Sequence, residues 1–139
     1  MNFEIITGFR YNRSNGPLTS WETAVGQGVN CQWVVHKFYK EKFGIELPKD
    51  LLSKELFQDS KFFVNIDLDE QPLNMGDILI VSRTQQAKPE KLHLAICLDN
   101  EQVLHATSFD KQVSIWSMSK LFENYRKMWA VKRLKPLKN

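Results

Sequence analysis

At 139 residues, with 42% hydrophobic and 25% charged side chains, the chain has the composition of one globular domain over residues 1–139, which excludes disordered, collagen-like and coiled-coil classes. A net charge of +3 is too small to argue for a nucleic-acid partner, and the longest apolar run, residues 78–81, is far below the ~18 residues that span a bilayer. Two cysteines make no disulfide framework.

The opening residues 1–8 carry no basic stretch, apolar core or small-residue cleavage site. The expectation is a cytoplasmic chain, or one exported by a route that needs no ordinary signal peptide. Residues 3–6 read as a short strand, and residues 12–19 are rich in turn formers. Ser20 is placed to cap a helical turn through Trp21 and Val25. Gly26 and Gly28 then interrupt regular structure, as suits backbone that must approach another segment closely.

Residues 30–43 form the clearest helix. Asn30 is a good N-cap, its side-chain oxygen being able to accept from the orphan amides of the first turn. Val34, Val35, Phe38, Tyr39 and Lys42 follow helical spacing, with Cys31 on the same stripe. Gly44 ends the helix, and Pro48 prevents its resumption. Residues 50–58 read as a second, shorter helix with Leu51, Leu52, Leu56 and Phe57 inward.

Beyond this the period changes from 3.6 to 2. Residues 78–81 predict a buried strand, residues 92–98 and 102–107 a hairpin around Asp99–Asn100–Glu101, and residues 112–116 another strand. A short helix over 119–125 and a strand over 128–134 close the chain, and the charges within 132–139 read as a solvated tail. Helices first and an antiparallel sheet after them make an α+β fold.

Cys31, in the first turn of the 30–43 helix, is the candidate nucleophile. A thiol attacks as thiolate, and the helix N-terminus favours an anion there, with neutral Asn30 adding no repelling charge. A histidine accepting the thiol proton would complete the device. His36 lies about 140° around the helix axis from Cys31 and cannot face it, so it reads as a surface residue. His93 shares a strand face with Ala95 and Cys97, small residues beside which the nucleophile helix could pack. His105 can orient His93 only if the hairpin register is even, as when a three-residue loop sets Ala95 opposite His105. A zinc site is not expected, because His93 and Cys97 would stand roughly 13 Å apart along one strand.

Asn30-Cys31-Gln32-Trp33-Val34-Val35, followed by Lys42-Phe43-Gly44-Ile45-Glu46-Leu47-Pro48, resembles the nucleophile helix of the NlpC-type cell-wall cysteine peptidases, whose motif is Asp-Cys-Ser-Gly-Phe-Val. Gly76-Asp77-Ile78-Leu79, His93-Leu94-Ala95-Ile96-Cys97-Leu98 and Leu104-His105-Ala106 are similar to later motifs of that family, in the same order. The resemblance implies a papain-like α+β fold, nucleophile Cys31, general base His93 and orienting His105, with no cofactor or metal. It also implies a family tyrosine near the oxyanion hole, for which Tyr11 is the tyrosine preceding Cys31. Gln32 and Trp33 depart from the family motif and are taken as cleft residues that reshape the substrate site.

The expected function is hydrolysis of an amide, such as that of a peptidoglycan-type peptide, by a monomer or weak oligomer. The same superfamily includes acyltransferases with an Asn-Cys-Glu-His-Phe-Val motif, so thiol acyl transfer is the alternative. A non-catalytic binding module that retains only the cleft is a third reading. Cys97, Trp116 and Trp129 read as structural. Asp77 reads as the start of a strand or as a polar support to the site.

Overall fold

Local capping sets the two helices nearest the thiol. Ser20 caps α1 (Trp21–Gln27) by accepting from the Thr23 amide, and Asn30 caps α2 (Cys31–Phe43) by accepting from the Trp33 amide at 3.0 Å. Gly44 closes α2 in the left-handed region, with φ at 67°. These features come from a computed structural model, which describes residues 3–99 and 101–136. α3 spans Ser53–Gln58, shorter than the sequence reading, with Leu51 and Leu56 buried and Leu52 and Phe57 half-buried.

The sheet runs in the order β1-β6-β2-β3-β4-β5, built from β1 (Phe63–Asn65), β2 (Ile78–Ser82), β3 (His93–Cys97), β4 (Gln102–Thr107), β5 (Gln112–Ser117) and β6 (Lys127–Leu134). Every pairing within it is antiparallel. α4 (Met118–Asn124) joins β5 to β6. The α+β expectation holds. Three-residue β1 gave no periodic signal in the sequence. Phe3–Ile5 is a 3-10 turn in place of the expected strand, with Glu4 and Ile5 exposed.

The two sheet faces bury different sets. One carries Ile78, Ile80, Leu94, Ile96, Leu104 and Ala106 against Val34, Val35 and Phe38 of α2. The other carries Leu79, Val81, Ala95 and Val103 against Trp116, Leu121 and Tyr125. α2 therefore packs on the Leu94 face and not, as expected, on the face of His93. The bulky aliphatic side chains offer more apolar area to a helix than Ala95 and Cys97 do.

The supposed solvated tail is part of the fold as far as residue 136, where the described residues end. Lys132 is buried in β6 and donates to the Asp59 carbonyl at 2.8 Å, while Lys135 donates to that of Ser60. Arg133 forks onto buried Asp77, with Nε at 2.9 Å from one oxygen and an NH2 nitrogen at 2.8 Å from the other. Asp77 thus ties the start of β2 to β6. Lys138 lies outside the described residues.

Candidate active site

Hairpin register decides whether the two histidines can meet. Ile96 pairs with Leu104 and Cys97 with Val103, and the same register sets Ala95 opposite His105. The pairing sum is even, as the chemistry requires, although Asn100 of the loop lies outside the described residues. His93 and His105 then stand as diagonal neighbours on one face, with Ala95 leaving room between them. His93 Nε2 lies 2.7 Å from His105 Nδ1.

One proton lies in that contact, and its position fixes both tautomers. If His93 donates from Nε2, its Nδ1 is bare and can act as a base. His105 then carries its proton on Nε2, which is buried without a hydrogen-bond partner. That nitrogen belongs to a ring set edge-on to Trp116, with centroids 4.4 Å apart at 76°. An N–H against an aromatic face is weakly favourable, which suits this arrangement. Trp116 is held in turn by Asp110, which accepts from its indole nitrogen at 2.7 Å. Tyr125 stacks on the His93 imidazole at 4.3 Å and 7°, its hydroxyl 2.9 Å from Thr107 Oγ1.

Cys31 lines the same cavity as His93. The backbone amides of Leu94, Gln32 and Cys31 itself and the Ser53 side chain act on its sulfur as donors that favour the thiolate. Leu94 directly follows His93, so the thiol sits where β3 begins. A cavity of about 570 Å³ lies there, lined by Cys31, Gln32, Leu92, His93, Tyr11 and Tyr125 among others. A cavity of about 610 Å³ beside Phe57, Ile66 and Trp129 is lined by neither thiol nor imidazole.

Tyr11 lies twenty positions before Cys31 in sequence but beside it in space. It bridges Val29, and the Asn12 amide donates to the Val29 carbonyl. Gly28 permits this crossing, because a Cβ there would fall 2.2 Å from the Arg10 carbonyl oxygen, and its φ is +89°. At Gly26 a Cβ would meet open space, so only one of the two glycines is required.

Gln32 is a cavity residue with a supporting role. Its amide oxygen accepts from Asn30 Nδ2 at 3.2 Å, and its Nε2 donates to Ser53 Oγ at 3.0 Å. Trp33, by contrast, is not in the cavity lining. It is buried, donates its indole N–H to the Thr19 carbonyl, and packs with Phe9 and Trp21. The expectation of a cleft Trp33 is corrected: two residues round the helix from Cys31, it falls on the N-terminal segment and not on the sheet end.

His36 is also corrected. It is buried, with Nε2 2.9 Å from the Leu51 carbonyl, and so ties α2 to the segment leading into Ser53. Its angular offset from Cys31 does keep it out of the cavity lining.

Burial governs the electrostatics. It pushes the Cys31 thiol up to about 11, although the amides and Ser53 pull the other way. The expectation that the helix N-terminus would leave a depressed thiol is therefore reversed, because desolvation of the anion outweighs its donors. Burial, then the neighbouring His105 and Arg83, hold His93 well below 6.5, and burial takes His105 to about 3. Burial raises Tyr11, and Tyr125 to about 12. These shifts favour a neutral thiol and neutral imidazoles over an ion pair.

The NlpC/P60 family pattern matches residues 16–133, which is most of the chain and contains every part of this cavity's thiol–imidazole set. The chain belongs to the NlpC/P60 family. Among solved structures it is similar to an NLP/P60-family lipoprotein-like protein of Staphylococcus aureus, with 17% identity and a TM-score of 0.66 over 96% of this chain and 39% of that one. NlpC1 of Trichomonas vaginalis gives 18% identity and a TM-score of 0.61 over 96% of this chain and 42% of that one. The P60 domain of a Mycobacterium avium subspecies paratuberculosis antigen gives 17% and 0.56, over 94% of this chain and 87% of that one. The chain thus spans about two fifths of the first two proteins, and these likenesses carry the fold. No curated protein matches the sequence.

Members of the NlpC/P60 family are in general cysteine peptidases and amidases. Within this NlpC/P60 chain, sequence reasoning missed Ser53, Arg83, Trp116 and Tyr125 as neighbours of the site. Ser53 and Tyr125 come from short helices or their ends with no motif around them. Their proximity to Cys31 and His93 follows only from how α3 and α4 pack.

Proposed function

We propose that this chain is a cysteine hydrolase that cleaves an amide bond, with Cys31 as nucleophile, His93 as general base and acid, and His105 as the residue that orients His93. The observation that carries the reading is the 2.7 Å contact between His93 and His105 beside the cavity that also holds the thiol. Because a neutral thiol is favoured at rest, deprotonation accompanies attack. The sulfur forms a bond to the scissile carbonyl carbon as its proton passes to His93 Nδ1. The amides of Cys31 and Gln32, at the start of α2, are the donors available to the oxyanion. Collapse breaks the C–N bond, and His93 returns the proton to the leaving amine. Water, giving a proton to His93, then resolves the thioester to a carboxylic acid and restores the thiol.

A peptidoglycan-type peptide is the proposed substrate class, in keeping with the family. The test is amine release from a panel of stem-peptide fragments and dipeptide amides, with mass spectrometry of the enzyme. Wild type should turn over at least one and show a transient acyl adduct on Cys31, and C31A and H93A should do neither. An adduct that passes only to amines or alcohols would favour acyl transfer. No adduct with any acyl donor would leave a binding module.

A further inference from the structure

One edge of β6 is only partly covered. β1 lies beside it over residues 132–134, and a further bond, from the Ile66 amide to the Val131 carbonyl, continues that pairing. The chain then turns away, with the Glu70 and Gln71 amides donating to the Asp67 carbonyl. Among the described residues no strand lies beside 127–130 on this edge, while β2 flanks them on the other. An uncovered edge of this kind is a template for a further strand.

The fork between the two segments is the cavity of about 610 Å³. Its walls come from opposite sides of the sheet. Phe57 meets Trp129 edge-on, with ring centroids 5.8 Å apart at 89°, and both pack against the core under α2. Ile66 and Met128 pack instead against the core of Leu79 and Val131. Trp129 is the extra residue where β6 shifts register against β2, between Ile80 and Val81. An extended segment in the fork points alternate side chains at two apolar walls, which is how a strand added to a sheet edge is recognised. The open stretch 127–130 accepts about four residues at ~3.3 Å each.

The rim sets the sign of the partner's charge. Asp67 and Asp69 line the cavity, are exposed, and are not ion-paired among the described residues. The cations of β6 are engaged elsewhere: Lys127 lies 5.7 Å over the Trp129 ring, Lys132 donates to the Asp59 carbonyl, and Arg133 forks onto Asp77.

We propose that the open edge of β6 is a docking site for an extended segment of a partner protein, with apolar side chains on both faces and a Lys or Arg beside Asp67 and Asp69. The segment adds a short strand to the sheet. The site shares no lining residue with the thiol cavity and does not depend on the chemistry of Cys31.

Three probe peptides test it: end-blocked Lys-Val-Ile-Val-Thr-Lys, its counterpart with Glu for both Lys, and the Lys form with N-methylated central residues, which cannot donate main-chain hydrogen bonds. At about four times its Kd, the Lys peptide should slow amide exchange over residues 127–131 about fivefold, with residues 31–32 and 91–93 unchanged. By calorimetry at low salt the Glu peptide should bind at least about tenfold more weakly, and the N-methylated peptide should not bind. D67N/D69N should bring the Lys and Glu peptides to equal affinity, and the asparagine at 67 keeps an oxygen for the Asp69 amide, so the turn survives. No slowing over 127–131 at ~1 mM Lys peptide, or slowing only at the thiol cavity, overturns the docking site. An N-methylated peptide that binds as well as the Lys peptide overturns strand addition, and a Glu peptide that does so overturns the basic character of the partner.

Discussion

Replacing Ser53 by alanine removes a side-chain donor that favours the Cys31 thiolate, at a position only 1% exposed where water does not readily take its place. A hydrogen bond to a charged group contributes about 1.5 kcal/mol at the low end of its range, the end suited to the diffuse charge of sulfur. That corresponds to about one pKa unit. The donor lowers the thiol, so its loss raises it further above the value of about 11 that burial already imposes. Below the midpoint the thiolate fraction drops about tenfold, but a more basic thiolate is intrinsically more nucleophilic, which returns roughly a factor of three. The net expectation is iodoacetamide labelling of Cys31 about threefold slower in S53A than in wild type at pH 8. The sign is informative, because a merely loosened fold would expose the sulfur and speed labelling. S53T keeps the hydroxyl and should label at close to the wild-type rate while losing stability to its extra methyl. Equal or faster labelling of S53A, followed as a time course by peptide mass spectrometry, would refute the contact.

Two further outcomes concern the frame around the site. His105 has a folded pKa of about 3 against 6.5 for the free group, so the unfolded chain takes the proton first as pH falls. Its share of stability is complete above pH 6.5 and declines below it, by about 3 kcal/mol at pH 4, with the loss ending near pH 3. Urea unfolding should therefore show a shallower decline in H105Q than in wild type over that window, and parallel curves would sink the argument. Gly28→Ala places a Cβ 2.2 Å from the Arg10 carbonyl oxygen at a φ of +89° and should cost about 3 kcal/mol or more, whereas Gly26→Ala, inside α1 with open space, should be neutral or stabilising. G28A within ~1 kcal/mol of wild type in the same assay would count against the close approach.

Local physics made several features legible in the chain. Ser20 and Asn30 cap because a short side-chain oxygen can meet an amide three residues on, and Gly44 ends α2 because the turn there needs a positive φ. An unbroken apolar run gave β2, apolar stretches bracketing a turn gave β3 and β4, and a three-residue loop between these two permitted, without enforcing, the even register that lets His93 meet His105. These depend on neighbours within a few residues, which is the range over which a sequence pattern speaks.

At Cys31 the sequence determined the thiol's place, in the first turn of a capped helix, and the two histidines to pair with it by order and motif. Tertiary structure decided the rest. Which sheet face α2 covers depends on total apolar area, and it chose Leu94 over His93. Trp33 turned to the N-terminal segment, His36 went inside to Leu51, and Ser53 and Tyr125 arrived from distant helices. The thiol's own proton affinity followed the same logic. A helix N-terminus is a local feature that lowers it, but desolvation is a property of the packed whole, and here desolvation is the larger effect.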